Sequence, residues 1–377
     1  MRIVSLRCAG TKVEHTVTAR EVKPSIWYNE STMAHQSLYR VHRPNSFQDV
    51  VGQEHVTLPL AEAVKTNHIG HAYLFSGSRG LGKTSIARIL AKEIGCRDND
   101  LYEIDAASNN SVDDIRALTE GVYTLPFESP YKVYILDEVH MLSKAAWNAF
   151  LKTLEEPPSY AVFVLATTEL DKVPETVQSR CQVFEFKKPN RTTLAKMLTA
   201  VAKKEGYVLA SDAAELVALL AEGSYRDALS VLQKVLATGE KNVSREIVER
   251  VTGAPRREQV LALIEALSLG DRATAVSTIE HAARADTDMR IFLNLVLESL
   301  RSILLLRYAV ELRDTLREEL GTDDYTVLDR IAKTEKGPGI SHETLRVFLD
   351  ALDRIRFAPI PAIPLELAVL ELIPDKG

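Results

Sequence analysis

Eight residues constrain this chain more than any others: Gly77-Ser78-Arg79-Gly80-Leu81-Gly82-Lys83-Thr84. They match G-x-x-x-x-G-K-[ST]. They stand between a short apolar run, 72–76, and a helical pattern carried by Ile86, Ala87, Ile89 and Leu90. A strand, a glycine loop and a helix in that order form a cradle whose backbone N–H groups point at a polyphosphate. Lys83 supplies a point charge for the outer phosphates and Thr84 a hydroxyl for Mg²⁺, with Ser85 beside it. A glycine turn between strand and helix would explain the loop alone; strand, motif and helix together point to a nucleotide.

A second motif supplies the rest of that chemistry. Val133-Tyr134-Ile135-Leu136-Asp137-Glu138 reads as a buried strand ending in two carboxylates. Asp137 at its tip is expected in the Mg²⁺ shell and Glu138 to polarise the attacking water. A hydrophobic run ending in Asp-Glu is also an ordinary strand end. Standing 54 residues after Lys83, it becomes the second half of a nucleotide hydrolase. Together the motifs imply hydrolysis of ATP or GTP and leave its purpose open.

At 377 residues the chain has room for two or three domains, each with its own core. A formal net charge of −6 argues against coating nucleic acid by bulk electrostatics and leaves room for a local basic track. Cys8, Cys96 and Cys181 lie far apart, which implies no disulfide framework and a reducing compartment. The most apolar stretch, 291–310, is interrupted by Asn294, Glu298, Arg301 and Arg307, so no membrane span is expected and the location reads as cytoplasmic. Residues 1–35 show no periodicity and too short an apolar centre for a signal peptide. They read as a disordered extension, or as the product of an upstream start with Met33 as the true one.

Residues 36–188 alternate apolar strands with helical segments, which implies a parallel sheet covered on both faces. Strands are expected at 72–76, 101–105, 132–136, 161–166 and 182–186, and Ser111 opens a helix with a capping-box pattern. Lys187-Lys188-Pro189-Asn190 is a breaker cluster and a plausible hinge. Residues 189–253 read as wholly helical, with Gly206 and Gly223 as stops. A third helical region, 254–377, carries Val260, Leu261, Ile264 and Leu267 on one face and a break at Lys336-Gly-Pro-Gly339.

Longer strings now become recognisable: Leu38-Tyr-Arg40-x-x-Arg43-Pro44, Asp49-Val50-Val51-Gly52-Gln53, Glu103-Ile-Asp-Ala-Ala-Ser108, Leu136-Asp-Glu-Val-His-Met-Leu142 and Leu151-Lys-Thr-Leu-Glu-Glu-Pro-Pro158. In combination they resemble the gamma/tau subunits of bacterial DNA polymerase III, from about residue 36 to about 373. The resemblance implies a P-loop AAA+ domain with a five-stranded parallel sheet, a helical lid and an all-helical collar that joins subunits. It implies the ATP-hydrolysing motor of a sliding-clamp loader, with ATP and Mg²⁺ as cofactors. The implied partners are delta-type and delta-prime-type subunits, further copies of itself, the clamp, and primer–template DNA held through phosphates. Polymerase chemistry would belong only to the holoenzyme served.

The resemblance also assigns roles to matching residues. Ser179-Arg180-Cys181 is similar to the Ser-Arg-Cys motif whose arginine reaches a neighbouring subunit's ATP. Thr168, after Thr167, is similar to a first sensor of the γ-phosphate. Arg226, in Gly223-Ser-Tyr-Arg226, is similar to a second sensor reaching from the lid. Arg40, Pro44, Val50 and Val51 are similar to the segment packed around adenine. For DNA the candidates are helix N-termini, Asn109, Asn110 and Ser111 at one and Ser143 and Lys144 at another; each also fits an ordinary cap.

Two departures stand out. Family members usually carry a four-cysteine zinc module before the Ile-Asp-Ala-Ala-Ser strand, whereas here Gly95 to Asp100 offers one cysteine, and His68 and His71 are no substitutes; no zinc is expected. The chain also stops after the helical third region, which reads as the short, gamma-like form. The alternatives are the small subunit of an archaeal or eukaryotic clamp loader, a non-hydrolysing stator-like subunit, and a Holliday-junction motor. The Pro-Pro element argues against the first, intact Lys83-Thr84 and Asp137-Glu138 against the second, and an all-helical third region against the last.

Overall fold

The apolar runs of the first third become one parallel sheet of five strands: β1 (Ala72–Ser76), β2 (Leu101–Asp105), β3 (Lys132–Asp137), β4 (Ala161–Thr167) and β5 (Gln182–Glu185). Their order is β2-β3-β4-β1-β5. Expected and observed strands differ only at their ends, by one residue. The computed structural model describes residues 37–285, 287–333 and 339–373. The expected extension at 1–35 and the break at 336–338 therefore lie outside the described residues.

The three central strands are buried along nearly their whole length because helices cover both faces, so they read as continuous Val, Ile, Leu and Phe runs without alternation. The helices of this part are α1 (Leu38–Val41), α2 (Glu54–Lys65), α3 (Lys83–Glu93), α4 (Val112–Val122), α5 (Lys144–Glu155) and α6 (Glu175–Gln178). Leu74, Leu136, Phe163 and Leu165 pack on one face with Ile115, Trp147 and Phe150. Phe75, Ile135 and Val164 pack on the other with Leu60, Ile86 and Leu90. Each such side chain stabilises the layer by about 1.5–3 kcal/mol, which holds the strand tips, and the loops leaving them, in fixed register.

The next segment holds α7 (Arg191–Lys204), α8 (Ser211–Leu220), α9 (Tyr225–Leu236) and α10 (Arg245–Thr252). It is not wholly helical: β6 (Val208–Leu209) and β7 (Asn242–Val243) form a two-stranded parallel pair. Val208 N–H donates to Lys241 O (2.8 Å) and Ala210 N–H to Val243 O (3.0 Å). Two residues are too few to register as alternation, and the pairing partner lies more than 30 residues away. Leu38 packs in this helical core as well, with its N–H on Gln233 Oε1 (2.9 Å).

The final part contains α11 (Arg257–Leu269), α12 (Arg272–Arg284), α13 (Met289–Tyr308), α14 (Arg313–Ala332), α15 (His342–Ile355) and α16 (Ile363–Leu372), and no strand among the described residues. Val260, Ile264 and Leu267 share the inner face of α11 as their spacing requires, with Leu261 half-buried beside them.

Candidate active site

Strand order explains how motifs far apart in sequence meet. With β4 inserted between β1 and β3, the carboxyl ends of these three strands lie side by side, at the position where parallel sheets present ligand crevices. The phosphate loop leaves β1, Asp137 and Glu138 leave β3, and Thr167 and Thr168 leave β4. Gly77 N–H donates to Thr167 O (3.2 Å), stitching the first and third together.

Gly77, Gly80 and Gly82 have φ of 136°, 77° and 98°, which turns successive peptide groups inward. Gly80 is doubly constrained, because a Cβ there would collide with Ser224 at the start of α9. Gly82 caps α3, so the loop ends on a helix N-terminus with its unpaired N–H groups. The Lys83 ammonium is buried and donates to Gly77 O (2.6 Å) and Ser78 O (3.0 Å). Burial lowers its pKa from the usual lysine value, while Glu138 and Asp137 pull the other way.

Thr84 Oγ1 donates to Asp137 Oδ2 at 2.7 Å, a contact spanning 53 residues. A hydroxyl and a carboxylate oxygen presented together are the hard donors that fit Mg²⁺. Glu138 adopts left-handed backbone (φ 52°), at a cost of roughly 1–2 kcal/mol. Its N–H is held by Asp137 Oδ1 (3.0 Å) and its Oε2 accepts from Thr168 Oγ1 (3.1 Å). His140, to which the sequence pattern assigns no role, is the third contact: Nδ1 lies 3.4 Å from Glu138 Oε2 and 3.1 Å from Thr167 Oγ1. Its Nε2 faces Glu169 Oε1 at 3.4 Å.

The helical segment meets this site through α9. Tyr225 N–H donates to Gly80 O (3.1 Å), and Arg226 follows it with its guanidinium 4.8 Å above the Tyr39 ring. Arg40 lies on the same ring at 5.9 Å. Hydrogen bonds from the Ser37 and Arg40 side chains, with a smaller one from Arg226, hold the Tyr39 hydroxyl down at about 8. Pro44 is half-buried, Val50 packs against the sheet core and Val51 is exposed. Two neighbours without an expected role tie this segment down. Gln53 is fully buried and bonds the Lys187 backbone both ways (2.6 and 3.2 Å), and Arg43 Nε donates to Ser85 Oγ (2.9 Å). Their partners lie 42 to 134 residues away, so only tertiary structure could expose them.

Arg180 is not gathered into this cluster. Its guanidinium binds Glu155 Oε1 (2.5 Å) and Thr176 O (2.6 Å) just before β5, at the opposite end of the sheet. The DNA candidates form a separate patch. Ser143 N–H donates to Asn110 O (3.3 Å), placing the N-termini of α4 and α5 next to each other. The Ser111 and Ser143 hydroxyls cap those helices at Asp114 and Ala146.

In the shortened interval before β2, Asp100 is buried and accepts from the N–H groups of Phe127, Glu128 and Ser129 (2.6, 2.9 and 2.9 Å). Burial pushes the Cys96 and Cys181 thiols up to about 11 and about 12. Among the described residues no three of His, Cys, Asp and Glu gather closely enough to hold a metal ion.

A parallel sheet of this order, with a phosphate loop after β1, paired carboxylates after β3 and a helical segment docked on the loop, defines the AAA+ fold of P-loop ATPases. The RuvB Holliday junction branch migration motor of Thermotoga maritima has the same fold: TM-score 0.50, 19% identity, 81% of this chain and 97% of that one. Family profiles match residues 52–111 and 98–190 as "DNA polymerase III, delta subunit" and 243–376 as "DNA polymerase III subunits gamma and tau domain III". The gamma subunit of Buchnera aphidicola subsp. Baizongia pistaciae is 32% identical over 75% of this chain and 83% of its own length. The tau subunit of Bacillus subtilis is 35% identical over 365 residues, 90% of this chain but 63% of that protein, so the chain spans less than two thirds of that relative. The chain belongs to the gamma/tau subunit family of DNA polymerase III.

Among the described residues no helix is long and apolar enough to cross a membrane.

Proposed function

We propose that this chain is the ATP-hydrolysing motor subunit of a clamp loader, which opens a sliding clamp and places it on primed DNA. One observation carries the reading within its family: the Thr84–Asp137 contact at 2.7 Å with Glu138 beside it, held by Thr168. A stator-like subunit that does not hydrolyse ATP would have no need to keep this arrangement. Residues 36–188 would bind ATP, 189–253 would form the lid, and 254–377 would hold neighbouring subunits together.

The loop N–H groups and Lys83 would hold the phosphates, and Thr84 and Asp137 would hold Mg²⁺, which when bound neutralises charge between the outer phosphates. Glu138 accepts the proton of the attacking water, and Thr168 and His140 keep its carboxylate aimed. Arg226 would report nucleotide from the lid, Arg180 would serve the neighbouring subunit, and Arg40, Pro44, Val50 and Val51 would enclose the base. The paired α4 and α5 N-termini, with Asn109, Asn110, Ser111, Ser143 and Lys144, would meet DNA phosphates. The partners would be delta-type and delta-prime-type subunits, further copies of this chain and the clamp, in the cytoplasm.

The test is ATP turnover by the chain assembled with its organism's delta-type subunits, with and without clamp and primed DNA. Stimulation by clamp and primed DNA together is expected. Turnover indifferent to both, or none at all, would overturn the proposal.

A further inference from the structure

Tyr225 is the first residue of α9, so its N–H has no partner within the helix. That N–H is used on Gly80 O of the phosphate loop, at 3.1 Å. The side chain runs the other way, and its hydroxyl donates to Val51 O at 2.5 Å, a contact across 174 residues. One residue of the helical segment thus grips both the loop proposed for the phosphates and the segment proposed for the base.

The surroundings are shaped for that grip. Gly52, next to Val51, has φ +74°, and a Cβ there would stand 2.6 Å from the Tyr225 hydroxyl. Ser224 Oγ accepts Asp227 N–H (3.2 Å), fixing the first turn from which Tyr225 projects. Burial pushes the Tyr225 hydroxyl up to about 12, so it remains a donor. Beyond Gly52, Gln53 bonds the Lys187 backbone at the expected hinge. Val51–Gln53 is therefore tied at one end to the hinge and at the other to the lid. A lid displaced from the sheet loses both Tyr225 bonds together.

We infer that Tyr225 is a positioning residue that clasps the lid across a bound nucleotide, its amide at the phosphate end and its hydroxyl at the base end. The inference rests on the proposed nucleotide site and adds to it the group that sets how long nucleotide stays bound. Tyr225→Phe keeps the ring and deletes only the hydroxyl. Losing one net hydrogen bond corresponds to about a 2- to 12-fold change.

The experiment measures dissociation of a fluorescent ADP analogue from parent and Tyr225→Phe chains, alongside thermal midpoints without nucleotide. Release about 2- to 12-fold faster, with KM raised and the midpoint within a degree or two, is expected. A purely structural role would lower the midpoint and leave release unchanged, and that result overturns the inference while the proposed function stands. A parent chain that binds no ADP would overturn the proposed function, and the clasp with it.

Discussion

Replacing Arg180 by alanine should leave each chain able to bind nucleotide and yet disable hydrolysis in the assembled complex. The reason lies in the strand register. Tyr73 pairs with Gln182 and Ser76 with Glu185, so β5 runs roughly 10 Å, at ~3.3 Å per residue, toward the end where the phosphate loop begins. Arg180 precedes that span, and its guanidinium is held on Glu155 at the C-terminus of α5. An arginine placed there cannot serve its own phosphates, but it is available to a subunit packed on that edge. Magnitudes separate this role from a structural one. The Arg180–Glu155 pair is a third to a half exposed, and such pairs contribute about 0–1 kcal/mol to stability. An arginine donated in trans to a transferring phosphoryl group is worth ~10³–10⁵ in rate.

The assay mixes Arg180→Ala chains with Lys83→Ala chains carrying a different affinity tag, purifies complexes holding both, and measures ATP turnover. Interfaces that join an intact loop on one chain to an intact Arg180 on its neighbour should recover activity. Each variant assembled alone should be inactive. No recovery in verified mixed complexes, or normal turnover by Arg180→Ala alone, would refute the reasoning.

Three further outcomes are expected. Lys83→Ala should abolish ATP binding, whereas Glu138→Gln should bind ATP normally and hydrolyse it at least a hundredfold more slowly, in keeping with the ~10²–10⁴ contributed by a positioned base; filter binding and phosphate release separate the two. Asp100→Ala strands three backbone donors and should cost about 2–4 kcal/mol in urea unfolding. Burial alone would raise the Asp100 pKa, but its backbone bonds outweigh burial and hold it below the usual carboxylate value. Its contribution is then complete above about pH 4, where the unfolded carboxyl is ionised, and disappears as the pH falls through the lower folded value. The gap between Asp100→Ala and parent stability should close in acid, and a gap that widened there would contradict the assignment. Elemental analysis should find no stoichiometric zinc; about one zinc per chain would contradict the expectation drawn from the single cysteine in the 95–100 interval.

Local pattern carried a large part of this protein. Strands β1, β3 and β4 carry continuous apolar runs because they are covered on both faces, and the phosphate loop needs its glycines and lysine in one short run. Such features are written in consecutive residues, so reading along the chain finds them, and the helical nature of the last third follows from its spacing in the same way. What consecutive residues do not contain is strand order. The insertion of β4 between β1 and β3 brings Thr168 to Glu138 and Thr167 to His140, and the parallel pairing of β5 with β1 sets Arg180 at the far end of the sheet. The Gln53–Lys187 and Tyr225–Val51 bonds join positions 134 and 174 residues apart, and the two-residue pair β6–β7 likewise links distant segments. A hydrogen bond depends on distance and angle in space, and packing alone decides which distant backbone group the buried Gln53 or the half-buried Tyr225 will meet. The chemistry available to this chain was therefore determined by its sequence, and the partners that aim each group were decided by the fold.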